Sequence, residues 1–150
     1  MMKRVRTSAT CVRMLLGVGL LTLGSGNPAE ADSKCTVAKL KGNYVYAQDG
    51  FNIEGDTAAQ RTPFAQSGRE VFDGKGNMSG AATGSLNGNI VRSTYAGTYA
   101  VNSDCTDTVT FTDNFKQTFH YDIFIKDDGR EFVFIQTDAG VVTAAYERRR

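Results

Sequence analysis

Residues 117–137 read QTFHYDIFIK, DDGR and EFVFIQT, and they are the clearest structural signal in the chain. Aromatic and β-branched residues dominate this stretch, and only Asp128-Gly129 interrupts the apolar pattern. Two such runs separated by Asp-Gly predict a β-hairpin. With this pair at the centre of the turn, one face is apolar and the other carries an ion pair. The predicted apolar-face partners are Tyr121 and Gln136, Ile123 and Phe134, and Ile125 and Phe132, and the ion pair joins Lys126 to Glu131.

The rest of the chain alternates short apolar segments with turn residues. Asn87-Gly88 is the strongest two-residue hairpin signal. One connection is long: residues 48–63 contain Gly, Asp, Asn and Pro without a regular period, which is typical of a binding loop, a lid or a mobile segment. The pattern predicts eight β-strands, at residues 40–47, 64–72, 77–86, 89–101, 106–112, 117–126, 131–137 and 141–147.

Eight strands joined mostly by tight turns form an antiparallel meander. An open meander would expose two sheet edges and an apolar face, because no helical segment is predicted to cover them. We therefore predict an all-β fold: an eight-stranded antiparallel up-and-down β-barrel, closed as a meander, with one long loop after the first strand. Residues 32–150, about 119 in number, have the length of a single domain.

Residues 1–31 have the organisation of a secretory signal peptide. A basic segment is followed by an apolar core at residues 14–23 and by the small residues Ala29 and Ala31. The core is too short to span a bilayer as an anchor. The sequence therefore predicts cleavage near Ala31 and a secreted or periplasmic protein without a stable membrane anchor.

The predicted mature chain has a small net charge. Cleavage leaves 13 basic residues against 15 acidic ones, a net charge of about −2. Proteins that bind nucleic acid or an anionic membrane through bulk electrostatics carry a basic surface instead. The composition therefore argues against nucleic acid and against a charged membrane surface as partners.

Two cysteines, Cys35 and Cys105, remain after the predicted cleavage. An exported compartment is oxidising, and the chain has no Cys-x-x-Cys motif, so we expect one structural disulfide between them. Counting strand directions through the meander places the turn that holds Cys105 at the same end as Cys35, opposite the long loop. The disulfide and the meander therefore support each other.

Small residues line one predicted wall of the barrel. With the Asn87-Gly88 turn, Gly80 pairs with Tyr95, and Ala82 and Gly84 share its face. Small side chains leave space that large ones would fill. Two outcomes stay open: a ligand pocket against this wall, or a Tyr95 ring packed over the glycine.

Residues 64–72 have to direct one charged side chain inward. Pairing Phe72 with Met78 directs Glu70 to the lumen, whereas a slip of one residue directs Arg69 there. We favour the first register because it pairs two apolar residues. Burial raises the pKa of Glu70 unless a donor offsets it, and a structural hydrogen bond to a tyrosine is the alternative to a ligand site. The candidate ligand-binding residues are Tyr44, Tyr46, Glu70, Tyr95, Tyr121 and Gln136.

No motif in the sequence specifies a metal or a cofactor, and we expect neither. His120 is the single histidine, which excludes a polyhistidine zinc site. The glycines at 74–80 lie in a predicted hairpin with no helix after it to bind phosphate. His120 is expected on the outer face with Asp122, where a solvated pair is favoured over part of a catalytic triad.

Gly42-Asn43-Tyr44, followed by a long loop, resembles the Gly-x-Trp opening of lipocalins, with Tyr44 in place of the tryptophan. In size and strand number the chain is also similar to allene-oxide-cyclase-like and dirigent-like barrels. The lipocalin-like or calycin-like resemblance implies a small secreted barrel that holds a ligand in its lumen.

The sequence leaves three functions open. The first is an exported binding protein that holds a small, partly apolar molecule in the barrel. The second is a cofactor-free isomerase or cyclase of the allene-oxide-cyclase-like type, with Glu70 and Tyr95 as catalytic residues that move a proton. The third is a structural or interaction protein whose barrel is filled by its own side chains.

The outer face of the hairpin is also apolar. In the predicted register Phe124 pairs with Val133, and Ile135 follows on the same face. Adjacent exposed apolar groups form a patch that a partner or long polar side chains can cover. We expect either a homo-oligomer formed through Phe124, Val133 and Ile135 or a patch shielded by Lys126, Glu131 and Tyr146.

Overall fold

The computed structural model of the protein describes residues 34–55 and 61–150. The predicted signal peptide at residues 1–31 lies outside these residues, so its cleavage stays a prediction. The described part contains a short 3₁₀ helix at Val37–Lys39 and eight antiparallel strands. Within it, no helix is long and apolar enough to cross a membrane. The strands are β1 (Lys41–Ile53), β2 (Arg61–Asp73), β3 (Asn77–Leu86), β4 (Asn89–Val101), β5 (Thr106–Asp113), β6 (Thr118–Ile125), β7 (Glu131–Gln136) and β8 (Val141–Arg149).

Each strand pairs with the next one in sequence, and β8 pairs with β1, so the sheet closes into a barrel. This closure confirms the predicted all-β, eight-stranded up-and-down barrel. The register of β6 and β7 is also the predicted one, with Ile123 opposite Phe134 and Ile125 opposite Phe132. Alternate residues along the strands face the lumen, as the pleat requires.

The long loop predicted at residues 48–63 is wrong. Both flanking strands continue into it, and only residues 54–60 connect them. The mixed composition of this segment obscured a two-residue alternation, which directs the side chain of Gln48 into the lumen. Gly50 permits the close approach of β8, because a Cβ there would lie 2.2 Å from the carbonyl oxygen of Val142. The extension of β1 gives β8 the partner strand that closes the barrel.

A disulfide bond joins Cys35 to Cys105 and ties the segment before β1 to the turn between β4 and β5. The amide of Cys35 also donates to the carbonyl oxygen of Ser103 at 3.2 Å. The bond lies at the end of the barrel opposite the 54–60 connection, since each antiparallel strand reverses direction. Both the pairing and its position confirm the prediction.

Aromatic residues fill the lumen at this disulfide end. Phe72 packs edge-on against Tyr44 at 5.3 Å and against Tyr99 at 5.1 Å between ring centroids. Tyr44 donates its hydroxyl proton to the carbonyl oxygen of Gly129 at 2.6 Å, and Tyr99 donates to that of Leu40 at 2.8 Å. Buried aromatic pairs whose hydroxyl groups have acceptors stabilise a core. This half of the barrel is therefore packed core.

Candidate ligand-binding site

The lumen opens at the end that carries the 54–60 connection. A cup of about 210 Å³, measured as the space open to the centre of a water molecule, lies there. Its rim combines apolar side chains with the polar residues Asn52, Asp113 and Gln117, and its floor is mostly polar. The apolar rim residues are Phe64, Leu86, Val91, Phe115, Phe119 and Val141, and the floor residues are Gln48, Gln66, Tyr95, Tyr121 and Gln136.

Small residues on β3 and β4 leave this space. Gly84 and Ser93 line the cup, where larger side chains would narrow it. Lower on the same wall the Tyr95 ring lies over Gly80, since a Cβ on this glycine would be 2.4 Å from the ring. The Tyr95 ring thus packs over the glycine in the lower part of the wall, and the upper part borders open space.

A chain of hydrogen bonds runs through the floor to Glu70. The Tyr95 hydroxyl donates to Oε1 of Glu70 at 2.8 Å and lies 3.1 Å from the Tyr46 hydroxyl. Because the single hydroxyl proton of Tyr95 goes to the carboxylate, the Tyr46 hydroxyl supplies the proton between the two tyrosines. The amide Nε2 of Gln66 in turn donates to the Tyr46 oxygen at 3.0 Å. Every donor in this chain therefore points toward Glu70.

Glu70 faces the lumen and is 8% exposed, whereas its neighbour Arg69 faces outward. The predicted pairing of Phe72 with Met78 sets this register. Burial raises the pKa of Glu70 to about 7, although the hydrogen bond from Tyr95 lowers it. A carboxyl group with this pKa changes its protonation state near neutral pH.

Glu147 on β8 is a second buried carboxyl, which the sequence reasoning missed. Its side chain is 1% exposed and forms a hydrogen bond with Glu70. Two carboxyl groups can share a hydrogen bond only when one of them carries a proton. Burial, and then the Glu70 carboxylate, raise the pKa of Glu147 well above its usual value. The sequence signal that could have identified Glu147 is the two-residue alternation along the strand that begins at Val141, which places Glu147 on the same face as Thr143.

A small inner cavity lies directly beneath the cup. It offers about 20 Å³ to the centre of a water molecule, enough for one water by the usual criterion of about 10 to 15 Å³. The cavity and the cup share Gln48, Gln66, Phe111 and Tyr121 as lining residues, so these four side chains form the boundary between them. The polar residues that border the inner cavity are Tyr46, Gln48, Gln66, Glu70, Tyr121 and Glu147.

Two acceptor atoms at this cavity lack a donor. Oε1 of Gln48 and Oε1 of Glu147 are both buried and have no hydrogen-bond partner among the described residues. A buried acceptor without a donor costs about 1 to 3 kcal/mol, so such atoms usually mark a bound water or ligand group. The inner cavity therefore has more acceptors than donors.

Five of the six predicted ligand-binding residues lie around the two spaces. Tyr46 and Glu70 border the inner cavity, Tyr95 and Gln136 border the cup, and Tyr121 borders both. Tyr44 is the exception and lines neither space. One turn of the pleat closer to the start of β1, it belongs to the packed disulfide end, with its hydroxyl bonded to Gly129. Its position is that of a core residue.

A third buried carboxyl lies away from both spaces. Asp107 on β5 is 1% exposed, and its Oδ1 accepts a hydrogen bond from the amide of Ala100 at 2.9 Å. Its other oxygen has no partner among the described residues. Burial raises the pKa of Asp107 to about 7. This residue is a natural comparison for Glu70 and Glu147, because it shares their burial but not their location.

His120 lies on the outer face, as expected, but its partner differs. Nδ1 of His120 lies 2.7 Å from Oδ1 of Asp138 in the turn between β7 and β8. The predicted neighbour Asp122 is not its partner. The pair is solvent-exposed and lies outside the lumen, so it fastens a turn to β6. In the part of the chain that the structure describes, no three His, Cys, Asp or Glu side chains converge as a metal site would require.

No protein-family model matches the chain, and no curated protein matches it either. Among solved structures, the chain is similar to a redesigned β-barrel, with a TM-score of 0.51 and 18% sequence identity. The match covers 79% of this chain and 98% of that one. At this level of identity the likeness shows the β-barrel fold alone, since one fold supports many functions.

Proposed function

We propose that the protein is an exported barrel that holds a small, partly apolar molecule in its cup. The observation that carries the proposal is the open space of about 210 Å³ above a polar floor. Binding pockets for small molecules are concave, largely apolar and supplied with a few directed polar groups. A rim rich in apolar side chains over amide and phenol groups has this composition.

The dimensions of the cup limit the ligand. Pockets for drug-sized molecules measure about 300 to 1,000 Å³, so a cup of about 210 Å³ suits a smaller compound. Rings at the rim, such as Phe64 and Phe119, favour an aromatic or alkyl body. The amides of Gln48, Gln66 and Gln136 favour one polar group that forms hydrogen bonds.

Export is the second part of the proposal. The signal-peptide pattern at residues 1–31 supports it, and so does the disulfide between Cys35 and Cys105, because such bonds persist in oxidising compartments. The protein is then secreted or periplasmic. A lipocalin-like or allene-oxide-cyclase-like relationship belongs to the same proposal and is supported by the Gly42-Asn43-Tyr44 opening and the eight-stranded closure.

Filling the cup tests the binding function. We expect Ser93→Phe to place a ring in the cup and to abolish ligand retention, because a side chain then occupies the ligand's volume. Native mass spectrometry of protein purified from its own host measures this: the wild type carries a small molecule, and the variant does not. Thr94→Phe is the matched control, since Thr94 is the next residue on β4 and faces outward. A bare wild-type barrel contradicts the proposal.

A cofactor-free isomerase or cyclase is the second candidate function. The observation in its favour is the 2.8 Å hydrogen bond from Tyr95 to Glu70, together with a pKa of Glu70 raised by burial to about 7. An acid or base with a pKa near the working pH transfers protons efficiently. We expect Glu70→Gln to retain the ligand but to abolish its conversion, measured by mass spectrometry of the released compound. Loss of retention in a folded variant contradicts this role.

Self-association is the third proposal and concerns the outside of the hairpin. Phe124, Val133 and Ile135 are exposed by 52%, 47% and 45%, respectively. The ammonium group of Lys126 lies 5.7 Å from the ring of Tyr146, which shields part of this surface. The combined substitution Phe124→Lys and Val133→Lys should convert an oligomer to a monomer. Size-exclusion chromatography with light scattering measures it, and a monomeric wild type at high concentration refutes the proposal.

A further inference from the structure

The inner cavity beneath the cup is bordered by acceptors from three strands. Glu70 comes from β2, Glu147 from β8 and Gln48 from β1, and all three side chains are at least nine-tenths buried. Oε1 of Gln48 has no hydrogen-bond partner among the described residues and belongs to a neutral side chain, so it is an observation separate from the two carboxyl groups. None of the ion pairs within residues 34–55 and 61–150 involves either glutamate. The described residues thus supply negative charge and acceptors here without a matching cation.

We propose that this cavity is a subsite for an ammonium group, and that the cup above it takes the apolar body of a small primary amine. The inference rests on the proposed binding function and specifies its ligand class. An alkylammonium carries three N–H donors and one positive charge. Two of those donors match the unpartnered Oε1 atoms of Glu147 and Gln48, and the third can share a Glu70 oxygen. The positive charge matches a carboxylate pair that still holds one proton.

Other occupants satisfy the cavity less well. A water molecule has two donors, enough for the two oxygens that lack a donor, but it brings no charge. An anionic group would meet two carboxyl groups in a site of low dielectric, where like charges repel strongly. A neutral alcohol has one donor. A primary ammonium is the group that supplies both the donors and the charge.

The route into the subsite is defined by the shared lining. Gln48, Gln66, Phe111 and Tyr121 border both the cup and the inner cavity. In the proposed pose the ammonium lies below this boundary and an attached ring lies above it, among the rim residues. The arrangement therefore selects molecules with an amine at one end and an apolar group at the other.

The protonation of the carboxyl pair gives the binding a pH dependence. When both carboxyl groups hold protons the pair is neutral, and entry of an ammonium releases one proton to solvent. At higher pH the pair already carries one negative charge and no proton is released.

The remaining titratable groups that face the pair are tyrosines, which stay protonated. They are Tyr46 on β1, Tyr95 on β4 and Tyr121 on β6, while β3, β5 and β7 present Gly80, Val109, Phe111, Phe132 and Phe134.

Isothermal titration calorimetry with two matched compounds tests the inference. The probes are 2-phenylethylamine, which is an ammonium ion near neutral pH, and 2-phenylethanol, its neutral counterpart. Near pH 8 we expect the amine to bind at least about tenfold more tightly, because a charge-assisted hydrogen bond is roughly twice as strong as a neutral one. Near pH 6 amine binding should weaken and release a proton, detected as a heat that depends on the buffer.

Isosteric variants test whether the two glutamates cause the preference for the amine over the alcohol. Glu147→Gln and Glu70→Gln should each remove most of the preference for the amine and leave alcohol binding in place. Asp107→Asn is the matched control: it alters a carboxyl of equal burial that lines neither space, so the preference should persist. Thermal melting monitors the fold of each variant. If one glutamate variant does not fold, the other still tests whether the preference for the amine depends on the carboxyl pair.

The outcomes separate the subsite from the cup. Equal binding of alcohol and amine by the wild type overturns the ammonium subsite and leaves the binding function intact. A preference that survives in folded Glu147→Gln and Glu70→Gln overturns it as well. Absence of binding by both compounds contradicts the subsite and the cup together.

Discussion

Replacing Cys35 and Cys105 together by serine should lower the free energy of unfolding by about 4 kcal/mol. The bond closes a loop across a sequence separation of 70 residues, and a long loop loses much conformational entropy when its ends are joined. For a domain of this size we expect the melting temperature to fall by roughly 15 °C. Denaturant titration and thermal melting of wild type and variant measure the two quantities.

Reduction provides the control for the disulfide prediction. The wild type in reductant should unfold at the same denaturant concentration as the double serine variant, because both lose the same cross-link. The bond lies opposite the cup, so the variant should still bind its ligand at temperatures where it is folded. An unchanged unfolding midpoint in the variant would mean that the 3₁₀ helix at Val37–Lys39 and Leu40 hold this end of the barrel without the bond.

The strand order and registers followed from local patterns in the sequence. Period-two alternation and the Asp128-Gly129 and Asn87-Gly88 turns specify which residues pair, and a one-residue slip would have exposed the apolar face. The positions of the two cysteines then agreed with the strand directions of the meander. These signals are local or depend only on the number of strands, so a single sequence is enough to predict the strand order and the registers.

The extension of β1 and β2 and the role of Glu147 could not be derived in the same way. The segment around Gly50 is polar and glycine-containing, and its pairing with both β2 and β8 makes it a strand. Glu147 lies near the end of the last strand, where a charged residue is usually solvated. Its burial depends on closure, which places β1 between β8 and β2 and so brings Glu147 and Glu70 to either side of β1. Both features are products of barrel closure.

The extended β1 also explains where the site lies. Had the strand ended at Ala47, the amide of Gln48 would belong to a loop. Since the strand continues, Gln48 projects inward at the boundary between the cup and the inner cavity. The Tyr44 position, one inward step before Tyr46, then falls into packed core. Along β1, Tyr44 therefore lies in the core, and the next inward-facing residue, Tyr46, already borders the inner cavity.

Buried carboxyl groups should make the protein less stable as the pH rises from about 5 to 8. Burial raises the pKa of Glu70 to about 7 and that of Glu147 well above its usual value. In the unfolded chain both groups lose their protons near pH 4.5. The folded protein therefore binds more protons between these values, and the free energy of unfolding falls with increasing pH. For Glu70 alone the loss is on the order of 3 kcal/mol.

Removing one carboxyl should flatten this dependence. In Glu147→Gln an amide replaces the proton-bearing carboxyl and donates to Glu70, so the variant should exceed the wild type in stability near pH 8. Near pH 5 the two proteins should be similar. Asp107→Asn should remove a separate part of the slope, because Asp107 titrates independently at the disulfide end.

Urea titrations at pH 5, 6, 7 and 8 on the wild type and both variants measure these slopes. Below about pH 4 a different set of groups dominates: the carboxylates of Asp73 and Asp104 accept hydrogen bonds that hold their pKa values low, so protonating them destabilises the fold. The stability maximum should therefore lie near pH 5. A wild type equally stable from pH 5 to 8 means that Glu70 and Glu147 are solvated, and the ammonium subsite then loses its basis too.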